Sequence, residues 1–195
     1  MSENRHQKHE TTRPSLPAET AAQMLGFWNA AGPKRWFAKD DAFDAAFRVR
    51  FHDAHFAAAR GELDAWLAQP DSALALILLL DQYPRNAFRD TGHMFATDGL
   101  ALRCSRQSLA QGHPEQIAPQ LRNFLYLPFM HAEDLAVQEE SVALYGQHVP
   151  DSLQWAILHR DIIARFGRFP HRNLALGRDT TPEEARFLAE GGFSG

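Results

Sequence analysis

Residues Ser72 to Gln82 read S-A-L-A-L-I-L-L-L-D-Q. The stretch is apolar nearly all round. At helical period that means a helix buried on every side, since a surface helix keeps a polar face. Its apolar core, Ala73–Leu80, is too short to span a bilayer. Asp71 is the expected N-cap, and Pro84 is expected to end the regular turns, because proline lacks the N–H and restricts the residue before it. Asp81, at the end of so apolar a helix, needs a partner. Arg85, four residues on, is the nearest, and a structural ion pair is the first reading of that spacing.

The rest of the chain supplies what such a helix buries against. Asp40–Arg60 carries Phe43, Phe47 and Phe51 at a spacing of four and predicts an amphipathic helix stopped by Gly61. Upstream, Ser15 or Thr20 starts a helix bearing Met24, Leu25, Phe27 and Trp28, which Gly32-Pro33 breaks. Leu63–Leu67 is a short helix closed by Pro70. Downstream, helices are predicted over Met94–Gln111, over Ile117–Tyr126 with Pro128 as its breaker, and over Ser152–Phe166. Thr181-Pro182-Glu183-Glu184 is a capping box opening a last helix to Glu190. No segment alternates with period two. The expectation is one all-α domain over residues 17–195, with eight or nine helices in antiparallel pairs, behind a polar tail of residues 1–16.

With 195 residues and 45% hydrophobic composition the chain is long enough for a substantial core. A formal net charge of -4 argues against a general nucleic-acid binder. The polar start, Met1–Glu10, has no apolar segment of a secretion signal, so a soluble cytoplasmic protein with no membrane partner is expected. The single cysteine, Cys104, excludes an internal disulfide and a multi-cysteine zinc site. It falls among apolar neighbours and reads as a small buried residue.

Two polar segments stand out. Leu80–Arg89 reads L-D-Q-Y-P-R-N-A-F-R, and Asp161–Arg178 reads D-I-I-A-R-F-G-R-F-P-H-R-N-L-A-L-G-R. Each has an aromatic-proline step, then Arg-Asn (with His171 interposed in the second), then a further arginine followed by Asp-Thr. Guanidinium groups stay charged and are costly to bury alone. Either carboxylates consume them in locking helix ends together, or some remain for an anion.

Helical spacing places His131, Asp134, Gln138 and Ser141 on one stripe, with Glu133 beside it. His131 with Asp134 could bind metal or move protons, or the acidic residues simply favour a helix N-terminus. His159 falls on the inward stripe of its helix. His52 and His55 share a face, but Asp41 and Asp44 lie too far upstream to complete a metal site. No phosphate-binding glycine loop and no serine elbow occurs, and no cofactor or metal is expected.

Three segments, A-L-I-L-L-L-D-Q-Y-P-R-N-A-F-R, P-F-M-H-A-E-D-L-A-V-Q-E and H-R-D-I-I-A-R-F-G-R-F-P-H-R-N-L-A-L-G-R-D-T-T-P-E-E, resemble the bacterial family called domain of unknown function 924. G-F-W-N and F-D-A-A-F-R near the start match it too. The resemblance runs from about residue 22 to residue 190. It implies an all-α fold similar to tetratricopeptide-repeat superhelices and implies no activity. One departure is Ala132, where a serine is expected. The signature positions are Asp81, Arg85, Asn86, His131, Glu133, Asp134, His159, Arg165, Arg168, His171, Arg172, Asn173 and Arg178. Stacked helix pairs make a concave face, and these positions are expected around one pocket on it.

Three functions are compatible with this reading. The first is a binding protein whose pocket captures a small anion or a peptide carboxylate, with the Arg165–Arg178 cluster as donors, Asn86 and Asn173 fixing orientation, and Asp81 and Glu133 holding the arginines. The second is a hydrolase or lyase with His131 or His159 as base, oriented by Glu133 or Asp134, and an arginine-stabilised oxyanion. The third is a protein-interaction scaffold with an exposed apolar groove.

Overall fold

The computed structural model describes residues 20–193; the expected tail of residues 1–16 and the alternative start at Ser15 lie outside them. The helices are α1 (Ala21–Ala31), α2 (Pro33–Trp36), α3 (Asp41–Ala59), α4 (Pro70–Ala87), α5 (Asp98–Ala110), α6 (Asn123–Met130), α7 (Leu135–His148), α8 (Leu153–Phe166) and α9 (Pro182–Ala189). Short 3-10 turns connect several of them, and no strand occurs among the described residues. The chain is all-α, as its sequence predicts.

Helix α4 is the axis. Every residue from Ala73 to Pro84 is buried, and α4 packs against α1, α3, α5 and α6. Along the chain, α3 to α8 each pack on the next, which is compatible with a repeat-like stack. One flank of α4 is aromatic. Phe43, Phe47 and Phe51 recur every turn of α3, and Phe27 of α1 stacks on the first two at 5.1 and 5.2 Å between centroids. Trp36 donates its indole N–H to the Trp28 carbonyl at 2.8 Å, which fixes the α1–α2 corner. A second, smaller core gathers Ile162, Ile163 and Phe169 with Leu158, Phe166, Phe187 and Phe193.

The start signals act as local chemistry requires. Thr20 and Gln23 form a capping box, as do Thr181 and Glu184, each satisfying otherwise orphaned N–H groups. Asp40 accepts from the amides of Ala42 and Phe43 to begin α3, and Gly61 leaves its end at φ +76°, where a side chain would be strained.

Five local expectations are corrected. Helix α4 opens one residue before Asp71, with Pro70 at its first position and no side-chain cap. Pro84 does not end it: α4 runs on to Ala87. Pro128 likewise lies inside α6. Met94–Gln111 is not one helix, because Gly92–Phe95 forms a 3-10 turn and α5 starts only at Asp98. Finally, α7 begins after Asp134, so His131 lies outside it, at the C-terminal end of α6. The helical stripe drawn through His131 and Asp134 therefore does not exist. Asp134 caps α7 by accepting from Val137 N at 3.1 Å, the simpler role for an acid at that place.

Phe47 is fully buried and touches four other aromatic rings besides Phe27. Phe47→Ala is expected to destabilise the chain by about 3–5 kcal/mol, read as a lower urea midpoint with an unchanged slope.

Candidate functional site

Proline 84 leaves a gap in α4's hydrogen bonding. With no N–H at position 84, the Leu80 carbonyl loses its helical partner. The Thr97 hydroxyl donates to it instead. That contact docks the start of α5 beside the end of α4 and sets the next residue, Asp98, against Arg85. Two hydrogen bonds of 2.8 and 3.0 Å join them.

Arg85 also lies 3.2 Å from Asp81, whose carboxylate is only 1% exposed. Burial alone would raise the Asp81 carboxyl. The charge of Arg85 and the hydrogen bonds from His131 and Gln82 outweigh it and hold it below the usual range, so it stays ionised. His131 meets it through Nδ1 at 2.7 Å, and Gln82 donates to its other oxygen at 2.6 Å. Arg172, in the 3-10 turn Pro170–Arg172, closes the arrangement. It reaches Asp98 at 3.2 Å and the His131 carbonyl at 3.0 Å. Its guanidinium lies 4.5 Å from the ring centroids of both Phe95 and Phe169. Burial pulls it down to about 10, still protonated at neutral pH.

These groups border a cavity of about 500 Å³. Its polar wall comprises Arg85, Arg89 and Arg172, His131, His159 and His171, the amides of Gln82, Asn86 and Asn123, and the hydroxyls of Tyr145 and Ser152. Its apolar wall includes Trp36, Phe37, Phe95, Trp155 and Phe193. Phe37 and Trp155 are 66% and 50% exposed and stand at the mouth. Among the described residues no carboxylate lines it. The acidic partners sit behind the cations: Asp81 and Asp98 as described, and Asp44, which holds Arg89 at 2.6 Å and Asn86 at 2.7 Å. Arg172 Nε, Tyr145 Oη, Asn123 Oδ1 and His171 Nδ1 are buried on this wall with no partner among the described residues.

Of the signature residues, Arg85, Asn86, His131, His159, His171 and Arg172 line the cavity, and Asp81 supports it from behind. The others do not reach it. Glu133 neither orients a histidine nor lines the wall; it pairs with Arg178 through both oxygens and accepts the Phe169 amide at 2.8 Å. Asn173 accepts from Arg178 Nε at 3.0 Å and is itself fully buried. Arg168 is held by Glu184 at 2.6 Å, and Arg165 by Glu183 at 2.9 Å at the surface. Asp134 is the α7 cap. Each of these arginines has a carboxylate partner.

His159 is wrapped rather than poised. Its Nδ1 lies 2.8 Å from the Trp155 carbonyl, and Phe169 and Phe193 pack on its ring. His55 is likewise internal, bonded to the Leu79 carbonyl at 2.8 Å and to His93 at 2.9 Å. Cys104 is buried in α5 with its thiol pushed up to about 11 by that burial. Among the described residues no group of three or more His, Cys, Asp or Glu side chains could hold a metal. Asp98, Arg89 with Asp44, Tyr145 and the two tryptophans are site residues that sequence reasoning missed.

Burial depresses His55 and His159 to about 4 and His171 to about 3, Arg172 adding to the shift at His171. All three are neutral in the folded state at pH 6, whereas the unfolded chain begins to take up protons near 6.5. The stability they contribute is therefore fully present above about pH 6.5 and lost progressively as pH falls toward 4. The thermal midpoint should drop over that interval, and His159→Phe should show a shallower drop, measured by scanning calorimetry.

No helix among the described residues is long and apolar enough to cross a membrane. No curated protein matches the chain. A solved structure of a protein of unknown function from Agrobacterium tumefaciens, ATU0120, is similar to it at 54% identity and a TM-score of 0.85, over 88% of this chain and 97% of that one. The family model for bacterial proteins of unknown function (DUF924) matches residues 24–192. With the match spanning nearly all of the helical body, the chain belongs to the DUF924 family.

Proposed function

We propose that this protein binds a small organic monoanion, a carboxylate with an apolar body, in the cavity between α4, α6 and the Pro170–Arg172 turn. The observation that carries the reading is the sorting of charge: among the described residues, three guanidiniums line the wall and no carboxylate does. Each arginine keeps an acidic partner behind it, so Arg85, Arg89 and Arg172 are balanced by Asp44, Asp81 and Asp98. The site presents donors to an anion without a large net charge. That suits one negative charge better than several. Arg172 itself is held in place by Asp98 and the His131 carbonyl.

The size and the aromatic half of the wall support the rest. About 500 Å³ is the scale of a small-molecule site. Trp36, Phe37, Trp155 and Phe193 offer apolar surface from the mouth inward. A free acid and the C-terminal end of a peptide share this chemistry. A second, catalytic reading is favoured by the Asp81–His131 pair, since a histidine oriented by a buried carboxylate and open to a cavity is the arrangement of a general base. Turnover lost with ligand binding kept in His131→Gln would mark that reading.

Isothermal calorimetry with benzoate, hexanoate and 3-phenylpropanoate, each against its neutral amide, tests the binding reading. At least one acid should bind and exceed its amide by tenfold or more, since hydrogen bonds to a charged group contribute about 1.5–3 kcal/mol. Arg172→Gln should remove that advantage while still melting cooperatively. Equal binding of acids and amides, or no binding of any acid, overturns the proposal.

A further inference from the structure

The hydrogen bonds around Asp81 fix more than a charge. An ionised carboxylate only accepts. Every group that touches Asp81 must therefore turn a donor toward it. Gln82 does so with its amide nitrogen at 2.6 Å, which leaves Oε1 as its other end. His131 does so with Nδ1 at 2.7 Å. Burial, with the nearby Arg85 charge, keeps the His131 ring below its ordinary pKa, so at neutral pH it carries one proton. That proton is on Nδ1, and Nε2 is left as a bare lone pair. Nε2 has no hydrogen-bond partner among the described residues, and both His131 and Gln82 line the cavity.

The residue that bears the acceptor adjoins those that bear the donors. His131 Nδ1 and Arg85 meet the same oxygen of Asp81, at 2.7 and 3.2 Å. Arg172 donates to the His131 backbone at 3.0 Å. All three residues line the cavity, so an anion held on the guanidiniums shares it with the His131 ring. Asn123 Oδ1, another unpartnered acceptor of the wall, belongs to the opposite end of α6, roughly 12 Å along the helix axis. It does not compete for the same ligand atom.

We infer that the ligand carries a hydrogen-bond donor one or two bonds from its carboxylate, as a 2-hydroxy acid does, and that His131 Nε2, helped by Gln82 on the same cavity wall, reads that donor. The inference rests on the anion-binding reading of the cavity and narrows the ligand class. His131 is a specificity-determining residue in this account, and Asp81 is the positioning residue that fixes its tautomer. An acid with no donor leaves the lone pair buried and unmatched, and such a mismatch is where binding sites discriminate most.

Three acids of nearly one shape separate the outcomes: 2-hydroxy-3-phenylpropanoate, its 2-fluoro analogue and unsubstituted 3-phenylpropanoate, titrated calorimetrically at pH 7.5 as separate enantiomers where chiral. One enantiomer of the hydroxy acid should bind about three- to tenfold tighter than both others, the range of a neutral hydrogen bond. The gap should close in His131→Phe and narrow in Gln82→Leu. If the three acids bind the natural protein alike, or the fluoro acid matches the hydroxy acid, the inference is overturned and the anion site stands. If none of the three binds, the inference fails; if the panel of simple acids also shows no binding, the anion-site reading has failed with it. The comparison within the natural protein decides the matter even where a variant does not fold.

Discussion

A carboxylate in a place where water cannot reach it governs this structure. Asp81 sits at the end of a helix buried on all sides. Ionised there, it would cost several kcal/mol if left unpaired. Its partners therefore cannot be optional. Arg85 answers it from the same helix and His131 from the end of α6. Arg85 in turn binds Asp98 at the start of α5; Asp98 binds Arg172; and Arg172 returns to the backbone of His131. The contacts close a ring through α4, α5, the Pro170–Arg172 turn and α6. Those elements are far apart in the chain, and the ring fixes how their ends meet.

Proline supplies the second constraint. A helix that carries a proline in its last turns has one carbonyl without a partner. In α4 that carbonyl belongs to Leu80, and the Thr97 hydroxyl takes the vacant position. The penalty for continuing the helix past Pro84 is thus offset by a tertiary contact, and that contact delivers Asp98 to Arg85. A chain that ended α4 before Pro84 would have had no reason to bring α5 so close.

This explains which parts of the molecule were legible in the sequence. The periodic phenylalanines of α3, the threonine caps of α1 and α9 and the apolar run of α4 are local signals, and local physics decides them. The all-α body and its central helix follow from them directly. The aromatic-proline steps are local signals too, but tertiary contacts overrule them. Nothing in the residues around Pro84 announces Thr97. Asp98 was invisible for the same reason: it looks like any acid in the first turn of a helix. His131 failed in the opposite sense. Its spacing to Asp134 is helical, yet Asp134 is committed to capping α7, and the chain turns between the two. The acid that His131 meets comes from fifty positions earlier.

The two aromatic-proline corners divide their polar side chains in the same way. In the first, Asn86 and Arg89 are spent on Asp44; in the second, Asn173 and Arg178 are engaged with Glu184 and Glu133. Each corner is thereby anchored by its asparagine and its last arginine. The remaining arginine of each, Arg85 or Arg172, is turned to the same carboxylate, Asp98, and to the cavity. Stability alone does not call for this. Buried ion networks are often matched or exceeded by apolar side chains of similar volume, and this chain fills the other flank of α4 in just that way, with phenylalanine and tryptophan. On the cavity side it keeps desolvated guanidiniums, one clasped between Phe95 and Phe169 with an N–H left over. The cation is thereby held rigid, with its acidic partner placed behind it and aromatic rings on either side.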